Sequence, residues 1–324
     1  MINEQSPVIA VCIPCYNEEL TIAKVINDFR HILPEARIIV FDNNSTDDSV
    51  KFAIEAGAEI MNVRRQGKGS VMRDIFRKID ADVYLTVDGD DACPASSAHD
   101  LITPVINGEA DMVMGDRLSE GSYIKENKRM FHHFGNRLVC QLVNRCFSTK
   151  INDVMCGYRA FSRIFAKNVP ISSDGFQVET ELTIKCLDRK LPFAVIPISF
   201  KDRPEGSFSK LSTFKDGLKV LLTIFSILKD YRPMFFFGFL SLVFFALGLF
   251  FGTPVIRQFI IYGQITIFSS AVLATGLVLI ATIFLICALI LDTIVLHEKQ
   301  LNELFILQFK KDELRARCGG WRKE

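Results

Sequence analysis

The chain is nearly without net charge: 38 Lys and Arg stand against 37 Asp and Glu over 324 residues, a formal balance of +1. That excludes the one-sided basic field of a nucleic-acid binder, so no nucleic-acid partner is expected and local Lys/Arg clusters matter more than the total. Patterned cysteine is missing as well. The nine Cys are scattered and odd in number, which points to reduced thiols in a cytosolic setting rather than to a disulfide framework. Cys12-Ile13-Pro14-Cys15 has the spacing of a redox pair, but no thioredoxin-like context follows and no second pair completes a zinc site. Both are expected as buried strand-end residues. No secretory signal is visible, since the apolar run 8–13 is short and lacks a basic flank, so the soluble part is expected to stay on the side where it is made. Trp is represented only by Trp321, in a basic tail with no assigned role.

What the chain has in quantity is apolar residue, unevenly spread. Residues 1–210 read as a soluble domain with a full core. Strand-like runs at 8–13, 38–41, 59–63, 83–87 and 110–114 alternate with helix-like stretches at about 18–32, 46–56 and 68–79. This alternation implies parallel pairing with right-handed crossovers, hence an α/β fold with an open, mostly parallel sheet and helices on both faces. Further helices are expected at 127–147 and 180–187, and a last strand at 193–198. Residues 211–232 form an amphipathic juxtamembrane segment suited to a membrane interface. Residues 233–292 hold two uncharged runs, 235–252 and 265–291, each long enough to span a bilayer. Lys215, Lys219, Lys229 and Arg232 precede the first, and Lys299, Lys310, Lys311 and Arg315 follow the second. The positive-inside rule then gives a transmembrane hairpin with both termini cytoplasmic, and 293–324 as a basic tail. The expected location is the inner or plasma membrane.

In open α/β sheets ligands bind beyond the carboxyl ends of the strands. Asp42, Arg64 and Asp88 all fall at such ends. In Asp88-Gly89-Asp90-Asp91, carboxylates two apart on a turning backbone can face one hard cation, Mg²⁺ or Mn²⁺. An acidic loop capping the helix that begins near Ser96 or Ser97 is the competing reading. Asp42 and the polar residues after it can read a base or ribose by hydrogen bonds, or cap a helix. Arg64-Arg65-Gln66-Gly67-Lys68-Gly69-Ser70 joins a strand to a helix N-terminus; it suits a diphosphate, or is a plain basic turn, and its spacing is not that of a Walker loop.

In their order and spacing, Pro14-Cys15-Tyr16-Asn17-Glu18-Glu19, the stretch 42–48, the stretch 66–70, Asp88-Gly89-Asp90, Gly115-Asp116-Arg117, the stretch 153–159 and the stretch 203–210 resemble family 2 glycosyltransferases of the A-type fold. More narrowly they are similar to the polyprenyl-phosphate glycosyltransferases, over roughly residues 7–230, with the two terminal spans matching a membrane-anchored branch. The resemblance implies inverting transfer of a sugar from a nucleotide-sugar donor to a polyprenyl (undecaprenyl or dolichyl) phosphate. It implies that Pro14, Tyr16, Asn17, Glu18 and Asp42 hold the nucleotide, that Lys68 sits near the donor, and that Asp88 and Asp90 bind the metal on the diphosphate. Asp153 resembles the family's acidic residue near the reaction centre, as a base or, with a lean this way, as the residue that orients an arginine. Arg117, Arg137, Arg159, Arg203 and Lys210 are the cations expected to meet the acceptor phosphate, with Asp90, Asp153 and Arg203 closest to the chemistry. The resemblance also allows a homo-oligomer, a tetramer.

A processive polysaccharide synthase would need more spans and a Gln/Arg-x-x-Arg-Trp motif, which is missing. A membrane scaffold with a degenerate transferase domain would be expected to lose Asp88, Asp90 and the stretch 203–210.

Overall fold

The computed structural model describes residues 6–119, 130–175, 177–201 and 225–317, with side chains described except at 130–134 and 313–317. Arg203, Lys210, most of the amphipathic segment (211–224), the start of the expected helix at 127–129 and the tail with Trp321 lie outside them. The chain divides into two compact units, Met1–Val220 with Leu304–Glu324, and Leu221–Glu303.

The first unit is built on seven strands: β1 (Ile9–Cys15), β2 (Arg37–Asp42), β3 (Glu59–Asn62), β4 (Val83–Thr86), β5 (Met112–Asp116), β6 (Arg159–Ser162) and β7 (Phe193–Pro197). Their order across the sheet is β3-β2-β1-β4-β6-β5-β7. Every pairing is parallel except those of β6, which runs antiparallel to β4 and to β5. The helices of this unit are α1 (Ile22–Ile32), α2 (Ser49–Glu55), α3 (Lys68–Lys78), α4 (Ala98–Ile106), α5 (Met130–Phe147), α6 (Arg163–Asn168) and α7 (Val178–Asp188).

The continuous apolar runs of β1, β2 and β4 follow from burial on both faces. Successive side chains point to opposite sides of a strand. Val11, Ile13 and Cys15 of β1, with Val83 and Leu85 of β4, enter one core with Ile22, Ile26 and Phe29 of α1 and Leu101 of α4. Ala10 and Cys12, with Tyr84, enter the other, against Ile75 and Phe76 of α3, Phe165 of α6 and Leu182 of α7. Cys12 and Cys15 are buried free thiols, and burial pushes the Cys15 thiol up to about 12.

Three elements of this unit depart from the sequence expectation, one of them the short helix α6 (Arg163–Asn168), which was not foreseen. Helix α1 starts at Ile22 rather than near Glu18, because residues 17–19 are held by the loop 45–49 instead of entering a helix. Strand β6 was not expected: it is only Arg159-Ala160-Phe161-Ser162, and the leading Arg hides an alternation that sends Ala160 to one core and Phe161 to the other.

The second unit is a helical hairpin of α8 (Pro233–Tyr262) with the membrane-length part of α9 (Phe268–Arg317). Gly263, at φ +65°, closes α8 by donating its N–H to the Phe259 carbonyl at 2.8 Å. Ser241, Val255 and Gly248 are buried on α8, and Ala274, Ala281 and Ala288 on α9. Both sets recur every seven residues, so small side chains form a continuous seam. Across it Ser241 Oγ donates to the Ala281 carbonyl at 2.8 Å, and the Phe244 and Phe284 rings lie 5.5 Å apart. Phe, Leu and Ile cover the outside, among them Phe250 and Ile260. Both helices are long and apolar enough to cross a membrane by length and composition. Helix α9 runs past the uncharged stretch to Arg317, since neither Gly nor Pro interrupts 292–317.

Candidate active site

The carboxyl ends of β1, β2 and β4 lie side by side, as the pairings Cys15 with Asp42 and Cys12 with Thr86 require. Three non-glycine residues just past these ends, Asn17, Asn44 and Asp91, have φ between +54° and +65°. Such conformations are costly for residues with a Cβ and persist where neighbours fix them. Asn44 is held through its Nδ2 on the Arg64 carbonyl, Asp91 through Lys24 of α1, and Asn17 by the loop after β2. The Asn17 N–H donates to Ser45 Oγ at 3.0 Å, and Asn17 Oδ1 accepts from the Thr46 N–H at 2.8 Å. The Glu18 N–H donates to Ser49 Oγ at 2.7 Å. Asn17, expected on the nucleotide, thus spends its side-chain oxygen on stitching β1's loop to β2's. Pro14 is the last residue but one of β1, Tyr16 and Glu18 just after the strand are half-buried, and Asp42 is buried with Oδ1 accepting from the Ser45 N–H at 3.2 Å.

The basic turn before α3 differs from the diphosphate cradle its sequence suggests. The Gly67 N–H donates to Asn43 Oδ1 at 2.7 Å, and the Gly69 N–H to the Asp174 carbonyl at 2.9 Å. A Cβ on Gly67 would lie 2.1 Å from the Asp174 carbonyl oxygen, and one on Gly69 2.0 Å from that of Ser173. The glycines therefore admit the backbone of residues 173–174, and those two amides are already committed. Arg65 and Arg73 hold the same segment through Asp174.

Lys68 turns the other way. Its Nζ lies 2.6 Å from Asp88 Oδ1 and 2.7 Å from Glu179 Oε1. Burial alone would lower the Lys68 pKa, but the two carboxylates outweigh it and raise the ammonium above its ordinary value. Gly157 makes room: a Cβ there would stand 2.6 Å from Lys68 Nζ and 2.8 Å from Asp88 Oδ2. Asp90 is buried and accepts from the Ala92 N–H at 3.2 Å, while the Gly89 carbonyl between the two carboxylates is held by Thr21 Oγ1 at 2.6 Å. Asp91 pairs with Lys24 of α1 at 2.8 Å, which ties it to a helix.

A second ionic centre forms at the end of β5. Arg117 donates from Nε to Asp153 Oδ2 at 2.6 Å and from Nη2 to Asp153 Oδ1 at 3.0 Å. Asn136 of α5 and the Met155 N–H also donate to Asp153 Oδ1. Burial would raise the Asp153 pKa, but Arg117 and these donors hold it below the usual carboxylate range. Such a carboxylate is a poor proton acceptor and a firm anchor for an arginine. Asn136 was not among the expected residues. It lies on the buried face of α5 with Val139, Cys140 and Val143, at spacings of three, four and seven. The apolar spacing of the sequence puts Leu138, Leu142 and Val143 on one face; of these Val143 is buried, while Leu138 and Leu142 are only half-buried.

Arg137 is exposed on α5, turned from the face that holds Asp153. Arg159 corrects the expectation more sharply. It is 1% exposed and donates to the Cys156 carbonyl at 2.7 Å, the Val154 carbonyl at 2.8 Å and Thr183 Oγ1 at 2.9 Å. Its guanidinium fastens the loop 153–157 to α7 inside the core, so it is not a surface cation for an acceptor. No group of three or more His, Cys, Asp or Glu suited to a metal occurs among the described residues. Asp88 and Asp90 are hard oxygen donors of the kind that Mg²⁺ or Mn²⁺ takes one or two of, with substrate phosphates completing the shell.

Residues 10–169 match the family described as Glycosyl transferase family 2. Among relatives, glycosyltransferase AglJ of Haloferax volcanii is 34% identical over 246 residues, covering 74% of this chain and 79% of that protein. The polyprenol monophosphomannose synthase of Mycolicibacterium smegmatis is 24% identical, covering 62% of this chain and 80% of its own. Glucosyl-3-phosphoglycerate synthase from Mycobacterium tuberculosis, solved in complex with Mn²⁺, UDP-glucose and phosphoglyceric acid, superposes with a TM-score of 0.54 at 22% identity, over 70% of this chain and 80% of that one. That likeness establishes the A-type fold. With the domain match and the relatives, it makes the chain a member of glycosyl transferase family 2 and a glycosyltransferase.

Proposed function

We propose that the protein transfers a sugar, with inversion, from a nucleotide-sugar donor to a polyprenyl (undecaprenyl or dolichyl) phosphate at the cytoplasmic face of a membrane. The observation that carries this reading is the pair of ionic centres. One, Lys68 with Asp88 and Asp90, is suited to a donor diphosphate and its metal; the other, Arg117 on Asp153, is suited to an acceptor phosphate. The names of two relatives, dolichol-phosphate mannosyltransferase and polyprenol monophosphomannose synthase, support the acceptor class.

The chemistry asks little of a protein base. A phosphate monoester with a second pKa of about 6 is already largely dianionic near neutral pH and attacks as it stands. Asp153, kept ionised by Arg117, orients that guanidinium towards the acceptor rather than taking a proton. Asp88 and Asp90 would hold Mg²⁺ or Mn²⁺, which when bound stabilises charge on the leaving nucleoside diphosphate. Lys68 adds a second cation on the same side. Asp42, with Pro14, Tyr16 and Glu18, forms the wall for the nucleoside. Arg203 and Lys210 are assigned to the acceptor by their position in the family-like motif. The hairpin α8–α9 anchors the protein, and the basic residues on both flanks favour cytoplasmic termini. A homo-oligomer is compatible with this arrangement.

The test is transfer of labelled sugar from a panel of nucleotide sugars by purified protein in vesicles. Label should enter the lipid fraction only when polyprenyl phosphate and Mg²⁺ or Mn²⁺ are both present. Equal transfer in vesicles lacking the lipid phosphate would contradict the acceptor assignment, and undiminished transfer with chelator would contradict the metal assignment.

A further inference from the structure

Glu179, which the sequence offers either as a residue of the same cleft or as a helix N-terminal charge, sits in the first turn of α7 and is 5% exposed. An acidic residue in a helix's first turn has an ordinary use in offsetting the helix dipole, and on the surface that would be sufficient. Here its carboxylate lies 2.7 Å from Lys68 Nζ, on an ammonium shared with Asp88. The surroundings are arranged to keep it there. Thr183 donates to the Glu179 carbonyl at 2.9 Å and receives the Arg159 guanidinium at 2.9 Å, so the buried arginine fixes α7 against the loop that carries Gly157. Gly157 in turn is the position whose missing Cβ admits Lys68 and Asp88 to one another.

This creates a competition. Asp88 is one of two carboxylates for the divalent cation, yet it already binds a cation. If Asp88 were Lys68's only carboxylate, a metal drawing on Asp88 would weaken the anionic hold on a buried ammonium, which is costly. With Glu179 present, Lys68 keeps an anionic partner while Asp88 turns to the metal. We propose that Glu179 is a positioning residue that releases Asp88 to the divalent cation by retaining Lys68. This rests on the reading of Asp88 and Asp90 as the metal pair and adds a role that the pair itself does not contain.

Binding of Mn²⁺ alone to the full-length protein, followed by electron paramagnetic resonance without any sugar donor, tests it. Glu179→Gln should weaken Mn²⁺ binding by about tenfold or more, the scale of one charge-assisted hydrogen bond retained by the wrong partner. Adding Lys68→Gln should erase that difference, because no ammonium then competes for Asp88. Glu179→Asp, which keeps the charge, should restore part of the affinity, and unfolding curves of all variants report whether α7 still packs. If Glu179 acts only by its general negative field, Glu179→Gln will cost the same with and without Lys68, and the proposal is overturned. Unchanged Mn²⁺ affinity in Glu179→Gln overturns it equally. Wild-type protein that binds no Mn²⁺, or whose binding survives Asp90→Ala, would remove the metal reading and this inference together.

Discussion

Asp153 and Arg117 meet through paired hydrogen bonds, Nε to Oδ2 and Nη2 to Oδ1, with the carboxylate wholly buried and the guanidinium 17% exposed at its side chain. The asymmetry assigns the roles: the acid is the anchor, and the arginine is the member that reaches towards solvent. Asp153→Asn should therefore lower unfolding free energy by about 3–5 kcal/mol, the usual result of removing one partner of a buried pair. It should also raise the KM for acceptor more than that for donor. Denaturant unfolding and two-substrate kinetics check both.

The pH dependence follows from the same pair. Asp153's pKa is lowered in the fold, so its contribution is present above the unfolded value of about 3.9 and is lost as pH falls through the lower folded value. Between mildly acidic and neutral pH it does not titrate. The acid limb of kcat/KM should therefore track the acceptor's second ionisation near pH 6. An acceptor analogue with a more acidic phosphonate should move the limb down. A limb that stays in place would point to a protein base.

Gly157 offers a clean probe of the donor side. Gly157→Ala puts a methyl group where Lys68 Nζ and Asp88 Oδ2 now stand, at 2.6 and 2.8 Å. Both are side-chain atoms able to shift, so we expect a stability loss of about 1–3 kcal/mol, typical of overpacking. Sugar transfer should fall by a larger factor than that loss of folded protein explains. Circular dichroism alongside initial rates separates the two effects.

Arg159 tests where sequence and structure part company. Arg159→Lys keeps the charge but loses the planar fork that serves two carbonyls and Thr183. Unfolding should occur at lower denaturant, while the acceptor KM of the folded protein changes little. The opposite pattern, normal stability with a raised acceptor KM, would restore Arg159 to the acceptor surface.

Why the sequence misleads at Arg159 and succeeds elsewhere has a physical basis. The β1, β2 and β4 strands are legible because burial on both faces makes them continuous apolar runs, and turn residues follow each one. The position of Asp88 and Asp90 just past β4 is legible because the apolar run of that strand ends where they begin. Burial of a charge, by contrast, depends on partners distant in sequence: Thr183 for Arg159, Glu179 for Lys68, Asn136 for Asp153. The glycines at 67 and 69 mislead for the same reason, since what they admit is the chain at 173–174 rather than a phosphate. Local pattern cannot tell these two uses of a glycine apart.

The proposed reaction places one sugar on a lipid phosphate. It is tested most directly by weighing the lipid product after incubating purified protein with nucleotide sugars, polyprenyl phosphate and Mg²⁺ or Mn²⁺. We expect a polyprenyl phosphate carrying a single sugar residue, formed by wild type and absent with Asp90→Ala. An unmodified lipid beside consumed donor, or a ladder of growing sugar chains, would contradict it.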